Sequence, residues 1–272
     1  MQVHKPITLH EALTLLAERD GAITPVAGGT DLLVCWYHAD HEDDQLLDLS
    51  GLRAELQALK LTEDELEIGG LTTYWDLIDS PAAAEFPLLA QAARQVGAMQ
   101  IQTRGTWAGN IANGSPAADG VMALMAYDAI VILKSRGGIM QVALDQFFSG
   151  YKQSLQQPDQ LIVGIRVPRR MRQQEWFYKV GQRSAQAISK VGVALVQDEC
   201  GWRVVANSVA PFVCRCRTLE NALNAGKSFQ SPAEIRQILS SDVAPIDDIR
   251  STAKYRATVL SRLLYYWLAE NA

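Results

Sequence analysis

The segment from residue 103 to residue 120 constrains the fold more than any other part of this sequence. It reads Thr-Arg-Gly-Thr-Trp-Ala-Gly-Asn-Ile-Ala-Asn-Gly-Ser-Pro-Ala-Ala-Asp-Gly. This content of Gly, Asn and Ser is typical of a loop rather than of a regular helix or strand. Within it, Asn113, Ser115 and Asp119 could bind hydroxyl groups. We predict a functional loop that leads into a helix over about 117–126.

A second glycine turn lies near the start of the chain. A short, apolar, β-prone run over 23–27 precedes Gly28-Gly29, and an apolar run over 32–37 follows, which predicts strand, turn and helix. Backbone N–H groups in such a turn can converge on an anion, because glycine has no Cβ in the way. A Gly-Gly pair alone is more often simply a tight turn, and no GxGxxG fingerprint is present. Two such loops together could clamp a dinucleotide pyrophosphate.

Composition excludes several classes of protein. The chain has 272 residues, 48% of them hydrophobic and 20% charged, with a net charge of −5, which is typical of a globular protein of one large domain or two. The acidic balance argues against nucleic-acid binding. The longest apolar stretch, 121–133, is interrupted by Asp128 and is shorter than the roughly 20 residues of a membrane span. The N-terminus lacks the pattern of a secretory signal, so we expect a cytoplasmic protein.

The order of the remaining elements indicates an α+β protein with a boundary near 168–174. The signals before the boundary predict a helix capped by Thr8, helices over about 72–79 and 87–97, and strands over 129–133, 139–144 and 161–167. The signals after it predict three strands over 175–180, 190–197 and 202–209, and helices from about Thr218, Ser231 and Ser251.

Charge and ligand patterns are less specific. The stretch from Arg166 to Arg203 has eight basic and three acidic residues, so it is either a docking face or a balance to the acidic N-terminal part. The spacings Cys214-x-Cys216 and His38-x-x-His41 lack further ligands nearby, so we predict no metal site. No nucleophile or acid–base set is recognisable, and no catalytic side chain is predicted.

Both glycine loops resemble those of a known family. Val26-Ala27-Gly28-Gly29-Thr30-Asp31-Leu32-Leu33 and Thr106-Trp107-Ala108-Gly109-Asn110-Ile111-Ala112-Asn113-Gly114-Ser115-Pro116-Ala117-Ala118-Asp119 are similar to the two FAD loops of the flavoprotein subunit of molybdenum hydroxylases, the xanthine dehydrogenase and carbon monoxide dehydrogenase group. Phe147-Phe148-Ser149-Gly150-Tyr151 and Leu161-Ile162-Val163-Gly164-Ile165-Arg166-Val167-Pro168 resemble the end of that family's FAD domain. The resemblance spans essentially the whole chain.

The resemblance implies a fold. It has a two-lobed FAD-binding domain of the vanillyl-alcohol-oxidase/PCMH type over 1–170, with lobes of about 1–58 and 59–170. A C-terminal domain over 171–272 then has a three-stranded antiparallel sheet and a helical bundle.

The resemblance also implies which residues contact FAD. The pyrophosphate lies on 26–31 and 106–110, Asp119 binds a sugar or ribityl hydroxyl, and Lys190 lies near the isoalloxazine. Trp107 is either a packing residue under the loop or a wall beside the flavin. The implied cofactor-binding residues are Val26, Ala27, Gly28, Gly29, Thr30, Asp31, Val96, Thr106, Trp107, Ala108, Gly109, Asn110, Ser115, Asp119, Ile162 and Lys190.

The implied function is an electron relay. A molybdopterin-binding large subunit oxidises the substrate, a 2Fe-2S small subunit passes the electrons to FAD in this chain, and NAD or another acceptor receives them. One alternative is an assembly or maturation subunit that does not turn over FAD. It is favoured by Ala108, which stands where the family usually has glycine. The other alternative is a free-standing flavin oxidase, which would need substrate residues of its own.

Overall fold

Three short parallel strands form the first sheet of the computed structural model, which describes residues 1–19, 21–35 and 44–271. The strands are β1 (Gln2–His4), β2 (Thr24–Val26) and β3 (Gln45–Asp48), in the order β1-β3-β2. Helix α1 (Leu9–Arg19) is capped by Thr8, whose Oγ1 accepts the Glu11 N–H at 3.2 Å. Its apolar side chains at helical spacing, Leu9, Ala12, Leu13 and Leu16, are buried.

Two short helices flank β3. The helix predicted over 32–37 is described as α2 (Leu32–Cys35), and its last two residues lie outside the described part, as do His38 and His41. Helix α3 (Arg53–Leu56) follows a 3-10 turn over Leu49–Leu52.

A five-stranded antiparallel sheet forms the second layer. Its strands are β4 (Leu59–Leu61), β5 (Glu65–Gly69), β6 (Ile130–Ser135), β7 (Gly138–Ala143) and β10 (Leu161–Pro168), in the order β4-β5-β10-β6-β7. A small hairpin, β8 (Phe148–Gly150) and β9 (Gln153–Ser154), precedes β10. Alternate side chains of β5, β6 and β10 enter one core, namely Leu66, Ile68, Val131, Leu133, Ile165 and Val167.

Six helices connect β5 to β6, and all but the one over 99–102 contribute buried side chains to this core. They are α4 (Tyr74–Ile78), α5 (Ala82–Glu85), α6 (Pro87–Gln95), α7 (Met99–Gln102), α8 (Trp107–Asn113) and α9 (Asp119–Ala126). The prediction of one irregular loop over 103–120 is therefore wrong, because α8 lies inside it. The buried side chains Trp107 and Ile111 stabilise α8 through tertiary packing, which propensity alone does not register.

The C-terminal part of the chain, from residue 172 onward, has strands followed by helices. The strands β11 (Arg172–Val180), β12 (Val191–Asp198), β13 (Gly201–Asn207) and β14 (Cys214–Arg215) form one antiparallel sheet in that order. The structure therefore has a fourth strand beside the three predicted, and β14 is only two residues long, too short to leave a periodic signal. Helices α10 (Arg217–Asn224), α11 (Pro232–Leu239) and α12 (Ala253–Glu270) follow. None of the helices in the described ranges has the length and apolar character of a membrane span.

Ion pairs neutralise much of the basic stretch between Arg166 and Arg203. Asp128 lies at the turn after α9. Its Oδ2 is 2.7 Å from Arg170 Nη1 and 3.3 Å from Arg203 Nε. Arg169 pairs with Glu85 at 3.1 Å. These contacts favour internal charge balance over a docking face, since the partners come from the N-terminal part of the same chain.

Candidate functional site

One cleft of about 600 Å³ joins the two glycine segments. The turn after β2 lines one side, the start of α8 lines another, and Val96, Ile101 and Ile162 form an apolar wall. Twelve of the predicted residues lie in this lining: Val26, Ala27, Gly28, Gly29, Thr30, Asp31, Val96, Thr106, Ala108, Gly109, Asn110 and Ile162.

The first loop packs directly against the backbone that leads into the second. A Cβ at Gly28 would lie 1.9 Å from the Arg104 carbonyl oxygen, so no larger residue fits without backbone movement. Gly29 has a φ of +69°, in the left-handed region that favours glycine. The two loops therefore present their backbones to the cleft side by side.

The second loop is anchored by backbone groups at the start of α4 and just before it. Tyr74 N–H donates to the Gly105 carbonyl at 3.1 Å, and Trp107 N–H donates to the Thr72 carbonyl at 3.2 Å. Thr106 caps α8, since its Oγ1 accepts the Gly109 N–H at 2.9 Å. The loop is thus held by backbone hydrogen bonds and by one side chain that itself lines the cleft.

Two aromatic rings support the loop. Trp107 is fully buried, and its ring packs edge-on against Tyr74 with centroids 4.8 Å apart. The structure thus places Trp107 under the loop, outside the described lining. Tyr74 does line the cleft, and burial, with the negative charge of Asp119, raises the pKa of its hydroxyl well above the usual value. Tyr74 is therefore a neutral phenol at physiological pH.

Asp119 lies behind the cleft and not in its described lining. It is 5% exposed, and Lys179 Nζ lies 2.6 Å from its Oδ2. Ser189 Oγ and Asn207 Nδ2 donate to its Oδ1 at 2.6 and 2.8 Å. Both Asp119 oxygens are engaged by groups that are distant in sequence, which is why the sequence did not indicate this arrangement.

Ser115 is also outside the lining, and its Oγ accepts the N–H of Ala117 in a local turn.

The lysine next to Asp119 is Lys179, which the sequence analysis did not select. The Lys190 Nζ lies 5.9 Å from the centre of the Tyr255 ring, away from the described lining. Lys179 alternates with exposed Tyr178 along β11, so its side chain points toward the N-terminal part. That alternation is the signal that could have found it.

The lining also includes residues that sequence reasoning did not select. Some adjoin predicted positions, as Leu161 adjoins Ile162, and so could have been anticipated; others, such as Gln156, carry no local signal. The additional residues include Thr24, Pro25, Tyr74, Ile101, Gln156 and Leu161. Within the described ranges, no three His, Cys, Asp or Glu residues are grouped closely enough to hold a metal ion.

The cleft combines two chemistries along its length. Two glycine-containing loop backbones border the cleft side by side, an arrangement that suits the phosphates of a dinucleotide. The apolar wall of Val96, Ile101 and Ile162 suits a planar ring system. Gly28, which has no Cβ, lets the first loop pack against the Arg104 carbonyl, so that both loop backbones border the same cleft. These residues therefore fit FAD.

Comparisons with known proteins agree with this fit. Residues 1–170 match the family described as the FAD binding domain in molybdopterin dehydrogenase, and residues 176–270 match the CO dehydrogenase flavoprotein C-terminal domain. The chain is 30% identical over 270 residues to the putative xanthine dehydrogenase FAD-binding subunit of Escherichia coli, covering 96% of this chain and 92% of the relative. It is 33% identical over 204 residues to the nicotinate dehydrogenase FAD-subunit of Eubacterium barkeri, covering 72% and 69%.

A solved structure has the same fold. The carbon monoxide dehydrogenase of Hydrogenophaga pseudoflava that lacks the Mo-pyranopterin moiety of the molybdenum cofactor superposes with a TM-score of 0.88 at 28% identity, covering 98% of this chain and 95% of the other. The sequence match, the fold and the cleft lead to one conclusion. The chain belongs to the family of FAD-binding oxidoreductase subunits of molybdenum hydroxylases.

Proposed function

We propose that this chain is the FAD-binding electron-transfer subunit of a xanthine dehydrogenase-like molybdopterin-dependent hydroxylase. The observation that carries the proposal is the cleft of about 600 Å³ lined by both glycine loops. FAD supplies the ability to accept electrons one at a time and to release them as a pair. The role of the protein is to bind the dinucleotide, orient it and exclude water from it.

The proposed site has three parts. Backbone groups of 26–31 and 106–110 hold the pyrophosphate, and Val96 and Ile162 pack against the rings. Asp119 binds a sugar or ribityl hydroxyl through its Oδ2, which accepts only Lys179 and keeps a further acceptor site. The proposed division is a two-lobed domain of the PCMH type over 1–170 and a flavoprotein domain over 171–272.

The proposed partners complete the relay. A 2Fe-2S small subunit delivers electrons that a molybdopterin-binding large subunit takes from the substrate, and NAD or another acceptor removes them. Support comes from relatives whose names identify them as FAD-binding subunits of larger dehydrogenases. The cysteines Cys200, Cys214 and Cys216 are free thiols, which agrees with a reducing cytoplasmic compartment.

The experiment is a visible absorption spectrum of the chain purified alone and again with its co-expressed neighbours. We expect flavin bands near one FAD per chain in both samples, and iron–sulfur absorption in the co-purified complex alone. A colourless protein that takes up no added FAD in either state would favour the maturation subunit. Flavin that is reduced directly by an added substrate, with no partner present, would favour the free-standing oxidase.

A further inference from the structure

A cluster of four buried polar side chains lies behind the cleft wall. Asp119, the first residue of α9, receives Lys179 Nζ at 2.6 Å on one oxygen. Its other oxygen receives Ser189 Oγ at 2.6 Å and Asn207 Nδ2 at 2.8 Å. All three donors come from the C-terminal part of the chain. None of the four side chains belongs to the described lining of the cleft.

Two contacts connect this cluster to the wall. The Lys179 ammonium also donates to the Gln95 carbonyl at 2.8 Å, and the next residue, Val96, lines the cleft. On α9, the Val121 N–H donates to the Asn110 side chain at 3.2 Å, and Asn110 lines the cleft too. A shift of the Asp119 carboxylate at the start of α9 would therefore move two residues of the cleft lining, Val96 and Asn110.

A strained turn holds Asn207 in place. Ser208 has a φ of +61°, a left-handed conformation that is unfavourable for a residue with a Cβ. Three hydrogen bonds maintain it: its N–H donates to the Pro116 carbonyl at 2.8 Å, its Oγ donates to the Ser189 carbonyl at 2.9 Å, and its carbonyl accepts Arg256 at 2.7 Å. The turn thus connects the loop before α9, the segment before β12 and α12.

Packing does not explain why an asparagine occupies position 207, at the end of β13. Asn207 is fully buried, and its Oδ1 has no hydrogen-bond partner among the described residues. A buried acceptor without a partner destabilises the folded state, and an aliphatic residue would avoid that penalty. The hydrogen bond from Nδ2 to Asp119 is the contact that accounts for the residue.

We propose that Asn207 and Ser189 are positioning residues for the cofactor cleft. They orient the Asp119 carboxylate so that it keeps the Lys179 ammonium against the Gln95 carbonyl, which fixes the wall at the next residue for FAD. In this way the C-terminal part stabilises a site that it does not line. The inference rests on the proposed function, because FAD is the ligand whose binding it explains.

The test is a titration of the full chain, freed of FAD, with FAD itself. We expect Asn207→Ala and Ser189→Ala each to raise the Kd for FAD about 3- to 10-fold, the effect of one lost hydrogen bond. The matched control is Asn224→Ala, because the Asn224 side chain accepts the Trp202 N–H at 2.9 Å and is not part of the Asp119 cluster. We expect the control to bind FAD with the wild-type Kd.

Two further readouts separate positioning from a merely structural role. The visible circular dichroism of the bound flavin reports the shape of the wall, so we expect it to change in Asn207→Ala and not in Asn224→Ala. In an Asp119→Ala background, adding Asn207→Ala is expected to change the Kd little, since the side chain through which Asn207 acts is already absent.

The outcomes separate this inference from the proposed function. One outcome is that the wild-type chain binds FAD while Ser189→Ala and Asn207→Ala both show its Kd and its circular dichroism. That result would overturn the inference and leave the proposed function standing. A wild-type chain that binds no FAD would overturn the proposed function and the inference with it. If Asn207→Ala does not fold, Ser189→Ala decides, because it removes a donor to the same Asp119 oxygen.

Discussion

At the scale of single residues, the cleft depends on positions where adding or removing a few side-chain atoms has a large effect. Gly28 is such a position, because its missing Cβ leaves room for the Arg104 carbonyl. Asp119 is another, because three donors converge on it in a buried environment. Each leads to a substitution with a defined result.

We expect Gly28→Ala to lower the free energy of unfolding by about 1–3 kcal/mol and to weaken FAD binding, because its Cβ would lie 1.9 Å from a backbone oxygen. Urea unfolding and FAD titration measure the two effects. Gly137→Ala is the control, since the nearest atom to its Cβ is the Ser135 hydroxyl at 3.4 Å. Equal stability of the two variants would contradict the packing of the loops against each other.

We expect Asp119→Ala to lower the free energy of unfolding by about 3–5 kcal/mol, because it leaves the Lys179 ammonium buried without its carboxylate. Chemical denaturation of the FAD-free chain measures the loss. The double variant Asp119→Ala/Lys179→Met is expected to regain part of it, because no unpaired charge remains. A double variant less stable than Asp119→Ala would show that the ion pair is not the source of the loss.

At the scale of elements, α8 shows how a helix can form in a segment rich in Gly and Asn. Its first turn depends on the Thr106 cap, and its inner face depends on Trp107 and Ile111. Because α8 begins at the cleft, its stability and the shape of the site are connected.

We expect Thr106→Ala to lower the free energy of unfolding by about 0.5–2 kcal/mol, because the Gly109 N–H loses its acceptor. Thr106→Ser, which keeps the hydroxyl, is expected to stay near the wild-type value. Thermal unfolding of the two variants side by side measures the difference. If Ser and Ala behave alike, the cap does not contribute to stability.

At the scale of the whole molecule, a charged cluster connects the N-terminal and C-terminal parts. Burial on its own would raise the pKa of Asp198, but hydrogen bonds from Arg203 and from the Cys200 N–H hold it below its usual value. Arg203 also donates to the Ala126 carbonyl at 3.0 Å, at the end of α9. The ionisation of Asp198 is thus coupled to the contact between the two parts.

We expect the free energy of unfolding to decrease as the pH falls below about 4. A carboxyl group whose pKa is lower in the folded state contributes stability above its unfolded pKa of about 3.9, and that contribution is lost as the pH falls through the folded pKa. Urea unfolding at several pH values between about 6 and 3 measures the slope. Asp198→Asn is expected to reduce the slope, and an unchanged slope would assign the acid sensitivity to other groups.

Local patterns in the sequence predicted much of the fold and of the site. The Thr8 cap, the apolar spacing of α1 and the strand–turn–helix around Gly28 depend on residues close together in the chain, so a single sequence displays them. The two loop motifs likewise identified residues that the cleft brings together. Their chemistry resides in the backbone and in the order of neighbouring residues, both of which one sequence displays.

The tertiary structure alone decided the rest. Packing between distant segments determines helix α8, the two-residue strand β14 and the strand order of the five-stranded sheet. The partners of Asp119 are 60 to 88 residues away along the chain, so no local pattern identified Lys179, Ser189 and Asn207 as its neighbours. Such contacts have no local period, because hydrogen bonds and burial between distant residues are set by how the layers pack and not by the spacing of residues in the chain.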